Sequence, residues 1–259
     1  MGARCKFNPP SPFNLALLSA PLWSRLRGVV QLVLFDVDGT LIHSKGAGVK
    51  AFERAFASEF HVSHGTDSLK FAGRTDPSIV RDFFQQQNIE PTPDNFQRFF
   101  DNYVFWLDYM MRKTEGGICA GVWNFIHGLE SLPHPPILGL LTGNIRLGAE
   151  IKLRHFYLWD HFSMGAFGDD HEDRNRLAMI ALKLARQLSN SNLDSGQVVV
   201  VGDTPLDIEC AKAIQAKCLA VATGGATLEE LKSHQPTWAV PDLLQTSAEE
   251  ICGQTEATA

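Results

Sequence analysis

Phe35-Asp36-Val37-Asp38-Gly39-Thr40 ends the apolar run Gln31-Leu32-Val33-Leu34. An apolar strand that runs into two alternate carboxylates is costly unless the carboxylates serve a purpose. In open α/β sheets the ligand crevice lies beyond the carboxyl ends of the strands, and Asp36 and Asp38 fall there. If the backbone stays extended, both side chains point to one side and repel, which calls for a cation or a shared proton. Short apolar runs of similar kind recur at 137–142, 162–167, 198–202, 218–222 and 237–240. They have the composition of strands buried on both faces of a parallel sheet. Helical periods separate them: Leu177, Ile180, Ala181, Leu184 and Leu188 in one stripe, and Ile208, Ala211 and Ile214 in another. Thr227 and Glu230 open a further helix with a capping pattern. The fold class is therefore α/β, with a doubly wound, mainly parallel, Rossmann-like sheet.

Residues 44–131 interrupt this alternation and read as four helices. Val49, Phe52, Phe56 and Phe60 share a face, as do Phe96, Phe99, Phe100, Tyr103, Leu107 and Met110. Ile118, Val122, Phe125 and Leu129 form the last stripe. Asp76-Pro77 and Thr92-Pro93 each read as an N-cap followed by proline in the first turn. Eleven of the seventeen phenylalanines lie in this span, enough for a core of its own. At this spacing aromatics pack a core rather than line a ligand surface. The plan is an all-helical domain (44–131) inserted into an α/β core (31–43 and 132–245), with an extension at 1–30 and a tail at 246–259.

The chain has 259 residues and a net charge of −6, with a pI near 5.8. It has no basic excess to neutralise phosphates, which argues against nucleic acid as a partner. No stretch of 18 apolar residues is free of charge, which argues against a membrane span. The five cysteines are scattered, odd in number and without a C-x-x-C pair, as in a reducing compartment. Residues 1–35 carry Arg4, Lys6, Arg25 and Arg27 and no acid. This start reads as a disordered or loosely docked extension, with a signal peptide or an organellar transit peptide as the alternatives. The expected location is cytoplasmic.

Three more chain segments carry polar groups to the same crevice. Thr142-Gly143-Asn144 ends the second strand ahead of a helix, an arrangement suited to anions because backbone N–H groups and the helix dipole favour phosphate. Gly202-Asp203-Thr204-Pro205-Leu206-Asp207 follows four consecutive valines. Four carboxylates (Asp36, Asp38, Asp203 and Asp207) in one cleft require a hard divalent cation with oxygen ligands, and magnesium fits a phosphorylated substrate. A basic side chain must face them, and Arg174 or Arg176 precedes the right helix. Each residue also has a plain structural reading: Asp38 a turn residue, Asp203 an N-cap, Thr142 a strand residue, Arg174 a surface cation. Their joint occurrence in this order weighs against reading them one at a time.

In these motifs the chain resembles the haloacid dehalogenase-like hydrolase superfamily. Asp36-Val37-Asp38-Gly39-Thr40 is the specific one; Thr142, Arg174 and Gly202 through Asp207 follow. The resemblance is nearest to phosphoglycolate phosphatase-type and β-phosphoglucomutase-type members, whose helical cap follows the first motif. Those relatives often carry Lys-Pro where this chain has Arg174-Asn175. The resemblance implies Asp36 as nucleophile through an aspartyl-phosphate and Asp38 as acid, then base. It implies magnesium held by Asp36, Asp38, Asp203 and Asp207, the last through water or as an orienting group. Gly39, Thr142, Gly143, Asn144 and Arg174 would bind phosphoryl oxygens. Arg74 and Thr75, on a loop between cap helices, would meet the part of the substrate away from phosphorus.

The implied function is hydrolysis of a small phosphorylated metabolite by a monomer or homodimer. The alternatives are a phosphomutase and a non-catalytic binding protein on the same fold; a dehalogenase would not need the acid at Asp38. His61 and His64 lack the Glu of H-E-x-x-H and do not read as a metal site. The acidic run 169–173 reads as a solvated loop.

Overall fold

Period-two alternation decides which side of the sheet each strand residue packs. In β1 (Leu32–Phe35), Leu32 and Leu34 join one buried apolar cluster, and Val33 and Phe35 join another. β6 (Val198–Gly202) divides its valines in the same way. Both faces are thus covered, which is why these strands are apolar throughout. The computed structural model describes residues 29–66, 69–190 and 192–253. Its main sheet has six strands in the order β5-β4-β1-β6-β7-β8, every neighbouring pair parallel. The other members are β4 (Ile137–Leu141), β5 (Met164–Ala166), β7 (Lys217–Val221) and β8 (Trp238–Val240). β1 lies between β4 and β6, so the strand order reverses there and opens a crevice at their carboxyl ends.

The helices, in chain order, are α1 (Ala47–Phe60), α2 (Asp76–Gln86), α3 (Pro93–Met111), α4 (Val122–Ser131) and α5 (Arg146–His155). Then come α6 (Arg174–Ser189), α7 (Pro205–Ala213), α8 (Leu228–Ser233) and α9 (Ala248–Cys252). In α6 the buried face is Leu177, Ala178, Ala181, Leu182 and Ala185, while Leu184 and Leu188 are exposed. The sequence stripe is therefore rotated: small alanines let the helix approach the sheet, and the larger leucines stay outside.

The inserted domain consists of α1, α2 and α3 around an aromatic core. Phe56 stacks on Phe83 with ring centroids 3.6 Å apart, and Phe52 meets the Tyr103 ring edge-on at 4.6 Å. Full burial of each such side chain contributes about 1.5–3 kcal/mol. The fourth helix of the sequence reading, α4, belongs elsewhere. Val122, Phe125, Ile126 and Leu129 pack in the cluster that holds Val33 and Phe35 of the sheet. A two-stranded antiparallel pair, β2 (Ile42–His43) and β3 (Gly117–Ile118), carries the chain out and back. The sequence shows neither strand, because two residues hold no periodicity.

The C-terminal segment also differs from a tail. Ala248, Ile251 and Cys252 of α9 are buried in the α/β core cluster. The Val30 N–H donates to the Cys252 carbonyl at 3.3 Å, fastening the two ends of the described chain together. The readings of residues 1–28, including the targeting alternatives, lie outside the described residues. Among the described residues no helix is long and apolar enough to cross a membrane.

Candidate active site

Asp36 leaves β1 still held to the sheet, its N–H donating to Val201 at 3.0 Å. The chain then turns tightly. Leu41 and Ile42 donate to the Val37 carbonyl, and Gly39 donates to the Ile42 carbonyl at 2.8 Å. Gly39 has φ +83°, and a Cβ there would stand 2.5 Å from Asp203 Oδ2. A glycine is required on both counts. The turn brings Asp38 to the same cavity as Asp36.

Asp203, at the end of β6, is nearly sealed. Its Oδ1 accepts from Thr40 Oγ1 at 2.9 Å, and a Cβ at Gly39 or Gly224 would collide with its carboxylate. Oxygens of Asp36, Asp203 and Asp207 all lie within 4.8 Å of one another, and all three residues are buried. Burial raises Asp36 to about 6, with Arg174 opposing and Asp207 adding to the rise. Burial, then Asp207 and Asp36, raise Asp203 to about 8. Buried, mutually repelling carboxylates that offer only oxygen are the chemistry of a hard-cation site, and Asp36 and Asp203 fit a divalent cation of that kind.

Asp207 is already engaged. One of its oxygens meets the Arg174 guanidinium, and the other accepts from the Thr204 N–H at 3.0 Å and Thr204 Oγ1 at 2.6 Å. It therefore orients Arg174 and caps α7 rather than offering a free oxygen to a cation. Arg174 Nη2 also lies 3.5 Å from Asp36 Oδ1. Burial works against its charge, but Asp207 and Asp36 hold Arg174 protonated above the ordinary arginine value. Among the described residues its Nε is buried and finds no hydrogen-bond partner. Arg176, two residues on, is exposed, so of these two arginines Arg174 is the one at the site.

Thr142 ends β4 fully buried, and its hydroxyl hydrogen-bonds to Asp36. Asn144 Nδ2 donates to Thr142 Oγ1 and to Asp38 Oδ2, both at 2.9 Å. Lys152 Nζ lies 2.6 Å from both Asp38 Oδ2 and Asn144 Oδ1. Burial alone would raise Asp38, but the Lys152 ammonium beside it lowers it below the usual carboxylate range. These groups face a cavity of about 460 Å³ between the sheet and the inserted helices, walled on the helical side by Val49, Phe52, Phe71, Ile79 and Tyr103.

A family model described as haloacid dehalogenase-like hydrolase matches residues 33–221, which span Asp36, Thr142, Arg174 and Asp203. The chain belongs to that family. No curated protein matches. Solved structures of similar fold include a predicted phosphoglycolate phosphatase from Haemophilus somnus, at 18% identity and TM-score 0.65, covering 86% of this chain and 96% of that one. A predicted phosphatase from Clostridium acetobutylicum gives 19% and 0.62, covering 87% and 97%. CbbY from Rhodobacter sphaeroides in complex with phosphate gives 18% and 0.60, covering 85% and 96%.

Within this haloacid dehalogenase-like frame some sequence readings need correction. The Gly39 N–H is used inside its own turn, so it offers no donor to an anion. The Asn144 N–H points to Thr142 Oγ1 at 3.3 Å, and its amide group serves Asp38, Thr142 and Lys152. Thr75 does not line the cavity. Its hydroxyl donates to the Glu172 carbonyl at 2.9 Å and caps α2, a role the sequence suggests for Asp76. Arg74 lines the cavity, but its guanidinium reaches Asp82 at 2.7 Å and Ser78 at 3.2 Å.

Asp76 is freed from capping its own helix because it caps another. Its carboxylate accepts from the Ile145 N–H at 2.9 Å, at the start of α5, and its N–H donates to Gly143 at 2.7 Å. A Cβ at Gly143 would strike the Arg74 carbonyl, so the close approach of inserted domain and core depends on that glycine. Burial raises Asp76 to about 7; Lys152 and the Ile145 N–H oppose this, while Asp38 and Asp169 add to it. The folded state then binds a proton that the unfolded state releases near 3.8. The Asp76 contribution is thus full below about 3.8 and is lost as pH rises through about 7. Asp76→Asn keeps an acceptor for Ile145 and removes the ionisation. Its melting temperature relative to wild type is expected to rise between pH 5 and pH 8. A difference that is flat or falls across that range contradicts this account of Asp76.

Proposed function

We propose that this chain is a magnesium-dependent phosphatase that hydrolyses a small phosphorylated metabolite through an aspartyl-phosphate on Asp36. One observation carries the reading: Asp36, Asp38, Asp203 and Arg174 line one cavity, with Thr142 beside Asp36. Membership of the haloacid dehalogenase-like family supports it. So does the phosphate named in the CbbY structure, which has the same fold.

An Asp36 oxygen forms a bond to phosphorus as the bond to the leaving oxygen breaks, and the electron pair departs with that oxygen. Asp38 gives it a proton. Asp38 then takes a proton from the water that attacks the phosphorus and releases Asp36. The two proton transfers run in opposite directions, so one group can serve both. Lys152 holds Asp38 in the ionised form needed for the second step. The negative phosphoryl group entering the cavity pushes it the other way for the first. Arg174 and Thr142 bind phosphoryl oxygens, with Arg174 held in place by Asp207. Asp36, Asp203 and the Asp38 backbone carbonyl would hold magnesium, which neutralises charge on the transferring group when bound.

The cavity beyond the phosphoryl position suits a leaving group of metabolite size. Arg74 is retained there as a contact for a second anion. Its pairing with Asp82 is partly exposed, 28% and 44% for the two side chains, and such pairs hold by only about 0–1 kcal/mol. A panel of phosphorylated metabolites assayed with and without magnesium tests the reading. Turnover is expected with magnesium and is abolished by a chelator. Phosphorylated substrates left intact in the presence of magnesium would contradict it, as would magnesium-independent turnover.

A further inference from the structure

The Lys152 side chain is almost fully buried, although α5 is otherwise an ordinary amphipathic helix. It sits on the inward face with Ala149 and Leu153, where an apolar residue would serve packing alone. Burying an ammonium is costly unless its partners compensate. Its partners are the Asp38 carboxylate and the Asn144 carbonyl oxygen, both at 2.6 Å. Asn144 in turn donates to the same Asp38 oxygen and to Thr142.

The division of labour at Asp38 is uneven. Oδ2 accepts two short bonds, from Lys152 at 2.6 Å and Asn144 at 2.9 Å. Among the described residues Oδ1 has only Ser44 Oγ at 3.4 Å, at the limit of a hydrogen bond. One oxygen is therefore held by two strong donors and the other only weakly, in a side chain that lines the cavity. The backbone hydrogen bonds of the turn at 37–42, and the Thr40 hydroxyl bound to Asp203, do not reach the Asp38 carboxylate. We infer that Lys152 is a positioning residue for Asp38: by clamping Oδ2 it presents Oδ1 to the leaving-group oxygen of the substrate. This rests on the reading of Asp38 as the proton donor in phosphoryl transfer.

An ammonium that lines the cavity could instead attract the phosphoryl group directly. The two uses leave different kinetic signatures. kcat/KM reports the steps through phosphoryl transfer to Asp36. A charge lost from phosphate binding lowers kcat/KM alike for every phosphate ester. A misplaced proton donor lowers it only where the leaving group needs a proton.

The test uses the full-length protein, magnesium, and two esters: glycerol 2-phosphate, with a poor leaving group, and p-nitrophenyl phosphate, with a good one. Lys152→Met is expected to lower kcat/KM for glycerol 2-phosphate by about 10²-fold and for p-nitrophenyl phosphate by less than about threefold. Asp38→Asn should show the same discrimination. Lys152→Met added to Asp38→Asn should cost little more, because the clamp then has no donor to present. Equal losses for both esters, no loss, or losses that add in the double variant overturn the inference. If Asp38→Asn itself fails to discriminate, it is the proton-donor reading that falls. Asp38 is 39% exposed and can be hydrated when its partner is removed, so Lys152→Met is expected to fold. Should it not, Lys152→Gln is compared in the same way. Failure of both variants to fold would make Lys152 a structural residue and also overturn the inference.

Discussion

Asp36→Asn is expected to lower kcat/KM by about 10³-fold or more without lowering the melting temperature. The two halves of that expectation have the same source. Asp36 is buried, and burial raises it to about 6, so its charge is a burden on the folded state. Asparagine has the same shape and carries no charge. Its carbonyl oxygen keeps an acceptor for Thr142, and Arg174 keeps its closer partner, Asp207. What disappears is the oxygen proposed as nucleophile, and among the described residues no neighbouring carboxylate is placed to substitute: Asp203 is enclosed by Gly39, Gly224 and Thr40, and Asp207 is engaged. Kinetics with p-nitrophenyl phosphate and a thermal melt check both halves. A variant that keeps a tenth of wild-type rate contradicts the assignment.

Asp203→Asn has the second large effect, and its signature is in stability as well as rate. Magnesium that binds only the folded protein stabilises it by about 2.7 kcal/mol at one hundred times the dissociation constant. A magnesium titration should therefore raise the wild-type melting temperature. Asp203→Asn should abolish that rise, because it removes one of the buried carboxylates available as ligands. Turnover should fall by about 10²-fold or more. The metal-free melting temperature should not fall, since a neutral side chain relieves the burial of charge, and then the repulsion from Asp207 and Asp36, that raise Asp203 to about 8. A variant that still shows the wild-type magnesium shift contradicts the role of Asp203.

Much of this was legible in the sequence because it rested on strand ends. Carboxylates that end an apolar run, as at Asp36 and Asp203, are placed by the sheet itself. Position along the chain was enough to bring them together. Packing partners were less legible. The stripe Val122, Phe125, Leu129 identifies a buried helical face but not what covers it, and α4 proves to lie on the sheet. Leu184 and Leu188 show the same ambiguity: two faces of α6 are apolar, and the one with alanines is inside. The exchange of caps at Thr75 and Asp76 could not be read locally either. Asp76 serves a helix about seventy residues away, which only the docking of the inserted domain on the core brings near. Lys152 did leave a signal. Ile145, Gly148, Ala149, Lys152 and Leu153 form one inward face, and a lysine within it marks a buried charge that needs a partner.

The most direct test of the central claim uses Asp38→Asn with p-nitrophenyl phosphate and magnesium. With this leaving group, transfer to Asp36 needs no proton, while hydrolysis of the aspartyl-phosphate still needs the missing base. The account predicts a rapid burst of about one p-nitrophenolate per enzyme, followed by slow turnover. Mass spectrometry after an acid quench should place a single phosphoryl group on Asp36. No burst with an unmodified Asp36, or a phosphoryl group on any other residue, would contradict it.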